Sequence, residues 1–182
     1  MRRPKFGSRR ATRADAPFAV ALLDQTARLH GRPGRPFWNE REIDEAAVEA
    51  MVEQGELFLV HDGRDEPIGL YCLARSDATY WPEHDDGQAL YLHKLAVTPE
   101  YRGQGFARFV VAEAMQRAEA LGRAFLRLDH QADREPLGRL YRNLGFSLHS
   151  HIQRPGIDAV RMQMRVAGQG IDAPVRSAMG RS

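Results

Sequence analysis

The stretch from residue 95 to residue 107 reads Leu95-Ala96-Val97-Thr98-Pro99-Glu100-Tyr101-Arg102-Gly103-Gln104-Gly105-Phe106-Ala107. Its beginning continues an apolar run and predicts a strand, whereas the apolar spacing that follows the second glycine predicts a helix. The first turn of a helix has free backbone N–H groups and a positive dipole end, and glycine lets the backbone approach a phosphate closely. The stretch therefore predicts a strand, a turn and a helix that can bind a phosphate group.

Two other phosphate-binding motifs do not fit this stretch. A P-loop requires Gly-Lys followed by Ser or Thr, which the chain lacks. A dinucleotide-binding fingerprint requires a third glycine at the position of Arg108. The alternative to a phosphate site is a tight connection between a strand and a helix that binds no ligand.

The hydrophobic periodicity on either side predicts an alternating pattern of helices and strands. Upstream, strands are predicted at residues 9–12, 57–61, 67–74 and 89–97, and helices at 17–29 and 40–54. Downstream, strands are predicted at residues 124–129, 146–153 and 158–166, and helices at 105–121 and 135–143. This order predicts an α/β (α+β) fold, with one domain at residues 9–166 and flexible termini at 1–8 and 167–182.

Composition narrows the class of protein. With 182 residues, of which 43% are apolar and 27% charged, the chain has the size and balance of one soluble domain. Its net charge of +2 gives no indication of nucleic-acid binding. No stretch approaches the roughly 20 apolar residues of a membrane span. The single cysteine, Cys72, lies in an apolar run, which predicts a buried thiol and a reducing, cytoplasmic setting.

Two motifs together resemble a known family. Arg102-x-x-Gly105-x-Ala107 resembles the Arg/Gln-x-x-Gly-x-Gly/Ala signature of the GNAT superfamily of acyl-CoA N-acyltransferases. Further along, Leu140-Tyr141-Arg142-Asn143-Leu144-Gly145-Phe146 resembles the second hallmark, Leu-Tyr-x-x-Leu-Gly-Phe. The resemblance implies a mixed, mostly antiparallel sheet of six to seven strands flanked by about four helices. It also implies acetyl-CoA as co-substrate and no metal.

In such a fold the CoA lies in a V-shaped opening between the strands at residues 89–97 and 124–129. The residues that would bind the cofactor are Leu95, Ala96, Val97, Arg102, Gly103, Gln104, Gly105, Phe106, Ala107 and Arg134. The amide of Val97, or one beside it, would polarise the thioester carbonyl, and the amine would attack directly. Many relatives have Asn where this chain has Arg134, which departs from the pattern although arginine also binds phosphate.

The resemblance implies that Tyr141 is the acid that protonates the leaving thiolate; the alternative is a core tyrosine. His93 is the candidate base, because histidine titrates near neutral pH and its strand is similar to that of arylalkylamine N-acetyltransferases. Strand alternation predicts that His93 shares a face with Leu95. A structural histidine, or Glu83, Asp85 or water as base, are the alternatives. Asp129 either orients the acceptor or pairs with an arginine.

The loops at residues 31–38 and 77–88 are predicted to form the acceptor pocket. Their aromatic residues are either a pocket wall or core: Phe37, Trp38, Tyr80 and Trp81. The acids Glu83, Asp85 and Asp86 would attract a cationic amine. The resulting hypothesis is an N-acetyltransferase for a small-molecule amine, with a homodimer possible and no nucleic acid, membrane or metal partner. A catalytically silent acyl-CoA-binding regulatory domain and a protein or peptide N-acetyltransferase are the alternatives.

Overall fold

The computed structural model describes residues 6–167, and its elements follow the predicted order. The strands are β1 (Gly7–Arg10), β2 (Leu57–His61), β3 (Pro67–Ala74), β4 (Ala89–Val97), β5 (Phe125–Gln131), β6 (Ser147–Arg154) and β7 (Ile157–Arg165). The helices are α1 (Ala16–His30), α2 (Glu45–Glu53), α3 (Phe106–Ala120) and α4 (Glu135–Asn143). One sheet holds all seven strands in the order β1-β2-β3-β4-β5-β7-β6. The β4–β5 pair is parallel and the other described pairs are antiparallel, which confirms the predicted fold class.

Helices cover both faces of this sheet. On one face, α3 packs its apolar side, including Val110 and Ala114, against a cluster that contains Leu90 and Leu126. On the other face, α1 and α2 pack against a second cluster, to which the buried Cys72 belongs. The predicted burial of the Cys72 thiol is confirmed, and burial raises its pKa to about 12. Within residues 6–167, no helix is long and apolar enough to cross a membrane.

The parallel contact between β4 and β5 is short. The register pairs Ala89–Leu90–Tyr91 with Phe125–Leu126–Arg127, although β4 continues to Val97 and β5 to Gln131. Beyond these three pairs the two strands separate. An opening therefore forms in the middle of the sheet, between strands that are each still held by an outer neighbour.

A β-bulge lies in β4 at this opening. Leu70 and Cys72 on β3 pair with Ala96 and His93, so three steps along β4 match two steps along β3. Lys94 accommodates the extra residue with a φ of 53°. Because the bulge breaks the alternation of side chains, the prediction that His93 and Leu95 share a face is wrong. Leu95 packs on the α3 side, whereas His93 faces Asp77.

Two predicted boundaries are also wrong. β1 begins at Gly7, inside the segment predicted to be flexible; residues 1–5 and 168–182 lie outside the described part of the chain. The helix predicted at residues 40–54 is divided into a 3-10 turn at Glu40–Glu42 and α2. The division has a local cause, because Asp44 adopts an extended backbone and its carboxylate accepts a hydrogen bond from the amide of Ala47 at 2.8 Å. Asp44 therefore acts as the N-cap of α2.

Removal of this cap is expected to destabilise the protein without affecting the site. Asp44→Ala leaves the amide of Ala47 without its acceptor, so the free energy of unfolding should fall by about 1 kcal/mol. Asp44→Asn keeps an oxygen at the same position and should retain most of that stability. Urea denaturation of the three proteins measures the difference. Equal stability of the Ala and Asn variants would contradict the capping role.

Candidate active site

A cavity of about 650 Å³ occupies the opening between β4 and β5. On the α3 side its wall includes Leu95 and Tyr141, which pack against the core cluster of that face. On the α1–α2 side its wall includes Trp38, which packs against the opposite cluster. The cavity therefore reaches both faces of the sheet, so two molecules that enter from opposite faces can meet between the strands.

The glycine-rich turn places the N-terminus of α3 beside the cavity. Gly105 is the N-cap, with a φ of 93° and no side-chain cap, and Gly103 has a φ of 72°. A Cβ at either glycine would meet no atom within 4 Å, so these positions need glycine for the left-handed backbone, and the space before them is open. The first amides of α3, at Phe106 and Ala107, have no acceptor within the helix and are available to a ligand at its N-terminus. Arg102 lies on the cavity wall.

Three other residues predicted to bind the cofactor have side chains that contact the protein itself: Ala96, Gln104 and Phe106. Phe106 is buried against Gly69, and Ala96 is buried on the α1–α2 side, so both can offer only backbone atoms. The Gln104 amide donates to the carbonyl of Glu100 at 2.5 Å, within the same turn. The segment thus presents a row of backbone groups with Arg102 as its charged side chain.

Tyr141 projects from α4 towards the cavity. Its ring lies 6.1 Å from the His130 ring and 6.0 Å from the Phe146 ring, which fixes its orientation. Burial, together with the nearby charge of Asp129, raises the pKa of Tyr141 to about 12. The phenol therefore remains protonated at neutral pH and can donate a proton to a group in the cavity.

His93 lies between two carboxylates. Its Nε2 atom is 3.3 Å from Asp77 Oδ2, and its Nδ1 atom is 3.9 Å from Asp129 Oδ1. Asp77 is itself held by the amides of Thr79 and Tyr80, which donate to its Oδ1 at 3.1 and 2.8 Å. Burial lowers the pKa of His93, but Asp77 and Asp129 raise it by more, so the net shift is upward and favours the imidazolium.

Asp129 is buried near the end of β5 and lines the cavity together with His93. Burial raises its pKa to about 6, although the charge of His93 opposes that shift. The sequence left the role of Asp129 open, and it included Asp77 only as part of the loop at residues 77–88, without a role of its own. An aspartate that accepts hydrogen bonds from backbone amides two and three residues later is common in loops. Such a local motif gives no sign in the sequence that Asp77 Oδ2 lies against His93.

The acids predicted to attract the acceptor have partners outside the cavity. Glu83 pairs with Arg161 at 2.6 Å, and Asp85 accepts hydrogen bonds from Ser76 and from the amide of Asp77. Asp86 accepts from the amide of Gln88. None of these three acids is among the residues that line the cavity, so the structure does not support Glu83 or Asp85 as the base.

Of the four aromatic residues considered for the pocket wall, three line the cavity: Phe37, Trp38 and Tyr80. The rings of Phe37 and Trp38 lie 4.7 Å apart and form one side of the wall. Trp81 is fully buried in a separate cluster with Tyr91 and belongs to the core.

The Arg134 side chain has three hydrogen-bond partners within the protein. The guanidinium donates to the carbonyl oxygens of His30 at 2.6 Å and Arg35 at 3.5 Å, and to Gln131 Oε1 at 2.9 Å. It also lies 5.4 Å from the centre of the Phe37 ring, and the residue is buried. These contacts favour a structural role for Arg134 over the predicted role in CoA binding, because its donors already bind His30, Arg35 and Gln131. Arg134 anchors the loop at residues 31–38, including its aromatic wall, to β5.

A sequence model described as the acetyltransferase (GNAT) family matches residues 23–146. Over 139 residues the chain is 27% identical to the uncharacterized N-acetyltransferase YesJ of Bacillus subtilis, and the match covers 72% of this chain and 76% of that protein.

Solved structures share the fold. A GNAT-family acetyltransferase from Listeria monocytogenes superposes with a TM-score of 0.71 at 21% identity, covering 88% of this chain and 94% of that one. The yncA protein of Salmonella typhimurium, solved with its cofactor acetyl-CoA, gives 0.68 at 17% identity, covering 95% and 99%. A spermidine N-acetyltransferase from Vibrio cholerae, in complex with CoA and spermine, gives 0.63 at 18% identity, covering 88% and 95%. The chain belongs to the GNAT family of acetyltransferases and is an acetyl-CoA-dependent acyltransferase.

Proposed function

We propose that this protein transfers an acetyl group from acetyl-CoA to the amine of a small molecule, by direct attack of the amine on the thioester. The observation that carries the proposal is the cavity between β4 and β5, which reaches both faces of the sheet. Tyr141 lies on its α3 side, and His93 and Asp129 line it from the opposite face. Acid and base would thus lie on opposite sides of the point where the two substrates meet.

The cofactor would enter from the α3 side, and the amine from the α1–α2 side, which we call the acceptor side. Its pyrophosphate would bind to the first amides of α3 and to Arg102, where the helix dipole favours an anion. Its pantetheine arm would follow the exposed edge of β4 at Leu95 and Val97, because β5 has already separated there. The amide of Val97, or one beside it, would then polarise the thioester carbonyl.

The catalytic steps would use groups whose protonation states suit them. Tyr141, protonated at neutral pH, would donate a proton to the leaving sulfur as the C–S bond breaks. The amine's proton would leave on the opposite side, where His93 and Asp129 line the cavity. The raised pKa of His93 does not favour the role of base that the sequence predicts for it. Buried ionisable groups at the cavity support an active enzyme over a silent acyl-CoA-binding domain, since they are costly to keep without a chemical use.

A small amine suits the acceptor side better than a peptide. The loop at residues 31–38 is fastened across the cavity by Arg134 and by Asp133, which pairs with Arg35 at 2.9 Å. This wall on one side of the cavity favours a small molecule over an extended peptide. The likeness to a spermidine N-acetyltransferase supports an amine acceptor in general, without identifying it.

Loss of the Tyr141 hydroxyl is expected to slow chemistry and to spare cofactor binding. Tyr141→Phe should lower kcat by about 10²-fold, because the sulfur then leaves without an acid. The Kd for acetyl-CoA, measured by calorimetry, should stay unchanged. Tyr71→Phe is the matched control, since Tyr71 is a buried core residue stacked on Phe58, and its kcat should equal that of the wild type. An unchanged kcat for Tyr141→Phe would remove Tyr141 from the mechanism.

Arg134→Asn, which restores the residue common among relatives, distinguishes two roles of this position. Arg134→Asn loses the charged hydrogen bonds to the carbonyl oxygens of His30 and Arg35. If Arg134 anchors the loop at residues 31–38, the KM for the amine should therefore rise about tenfold, while the Kd for acetyl-CoA stays the same. Steady-state kinetics and calorimetry measure both quantities. Arg28→Asn, at an exposed position on α1, is the control. A rise in the Kd for acetyl-CoA alone would restore the role in cofactor binding.

A further inference from the structure

Three ionisable side chains from separate segments lie together at the acceptor side of the cavity. Asp77 comes from the loop after β3, His93 from the bulged part of β4 and Asp129 from β5. Their side chains are 5%, 24% and 12% exposed, respectively. His93 and Asp129 line the cavity, whereas Asp77 lies behind them. We call this set the buried triad.

We propose that Asp129 binds the ammonium group of the acceptor and takes its proton, and that His93, held by Asp77, is a positioning residue. The inference rests on the proposed acetyl transfer and assigns its acceptor subsite. It also defines the acceptor as a primary amine without a carboxylate close to the amino group.

The geometry of His93 favours Asp129 as the proton acceptor. Each ring nitrogen of His93 faces a carboxylate, so both nitrogens are in place to carry protons. A histidine in this state is an imidazolium and has no lone pair for a further proton. Asp129 Oδ1 is buried and, among the described residues, makes no hydrogen bond, since His93 Nδ1 is 3.9 Å away. The Asp129 carboxylate therefore keeps acceptor capacity for a donor in the cavity.

A metal ion does not fit this arrangement as well. The triad does present ligand-type atoms within 4.8 Å of one another. However, Asp77 and Asp129 lie at opposite ring nitrogens of His93, and one ion can bind only one of those nitrogens. The same placement suits an imidazolium, since each of its two N–H groups would face a carboxylate.

The charges around Asp129 indicate which acceptors can bind. Two carboxylates and one imidazolium give the buried triad a net negative charge, which attracts an ammonium group. The cations on the acceptor side already face acids, because Lys94 lies 3.5 Å from Glu42 and Arg35 lies 2.9 Å from Asp133. An acceptor carboxylate would therefore have to compete with a protein carboxylate. The aromatic wall suits the apolar body of an amine.

The proton balance of the reaction is complete with these residues. One N–H bond of the ammonium breaks, and its proton passes to Asp129 and then to solvent. The freed nitrogen lone pair forms the C–N bond, and the C–S bond electrons go to sulfur, which takes a proton from Tyr141. The nitrogen then releases a second proton, which restores Tyr141. The products are the N-acetyl amine, CoA and one proton.

The test is a pH profile of kcat/KM for the full chain with acetyl-CoA and 2-phenylethylamine, spermidine or L-phenylalanine, followed by thiol release. The wild-type value for an amine should rise through about pH 6 as Asp129 ionises. Asp129→Asn should lower it about 10²-fold and remove this limb. His93→Gln should shift the limb to higher pH, because the charge that lowers the pKa of Asp129 is lost while Asp77 and Glu42 still raise it. Lys94, which lowers it, remains.

Asp65→Asn is the matched control, since Asp65 is 93% exposed on the β2–β3 turn, and its profile should equal that of the wild type. Acetyl-CoA binding measured by calorimetry should be equal for all variants, which shows that they fold. L-Phenylalanine should be at least about tenfold poorer than 2-phenylethylamine, which lacks only the carboxylate.

Each contrary result has a distinct meaning. An active wild type with an unaffected Asp129→Asn variant would overturn the inference alone, as would loss of the limb in His93→Gln with its retention in Asp129→Asn. Equal turnover of L-phenylalanine and 2-phenylethylamine would overturn the acceptor class. Activity that is lost with EDTA and restored by Zn²⁺ would make the triad a metal site. A wild type that releases no thiol with any probe would overturn the proposed function itself.

Discussion

β4 and β5 share a parallel ladder over three residues and then separate, and the site depends on this separation. A sheet normally satisfies the backbone groups of every inner strand through its neighbours. Here β5 does not pair with β4 past Tyr91, and the space between the strands becomes a passage from one face to the other. Because of the bulge at Lys94, His93 lies on the face opposite α3, whereas Leu95 lies on the α3 face.

Electrostatics couples the two ends of this passage. The charge of Asp129 contributes to the raised pKa of Tyr141, so the groups proposed as base and acid are close enough to interact. Burial raises the pKa of Tyr141, which keeps the phenol protonated, and it raises the pKa of Asp129 to about 6, close to neutral pH. One desolvated environment thus moves both pKa values in the directions that acetyl transfer requires.

Much of the fold was predictable, because hydrophobic periodicity is a local signal. The bounds of β2, β3, β4 and α4 are the predicted ones, at residues 57–61, 67–74, 89–97 and 135–143. The glycine-rich turn before α3 was predictable as well, since its glycines are visible in the sequence; the structure adds that both have a left-handed backbone. The bulge, the pairing of His93 with Asp77 and the commitment of Arg134 to the carbonyl of His30 were not predictable. Each depends on contacts between segments that are distant in the chain, and alternation or spacing carries no information about them.

The most direct test of this account is a crystal structure of the protein with CoA bound. The account predicts that the pantetheine arm lies between β4 and β5, with the pyrophosphate at the N-terminus of α3. The sulfur should lie within about 3.5 Å of Tyr141 Oη, on the α3 side of the passage that leads to Asp129. A CoA bound elsewhere, or with its sulfur out of reach of Tyr141, would contradict the account.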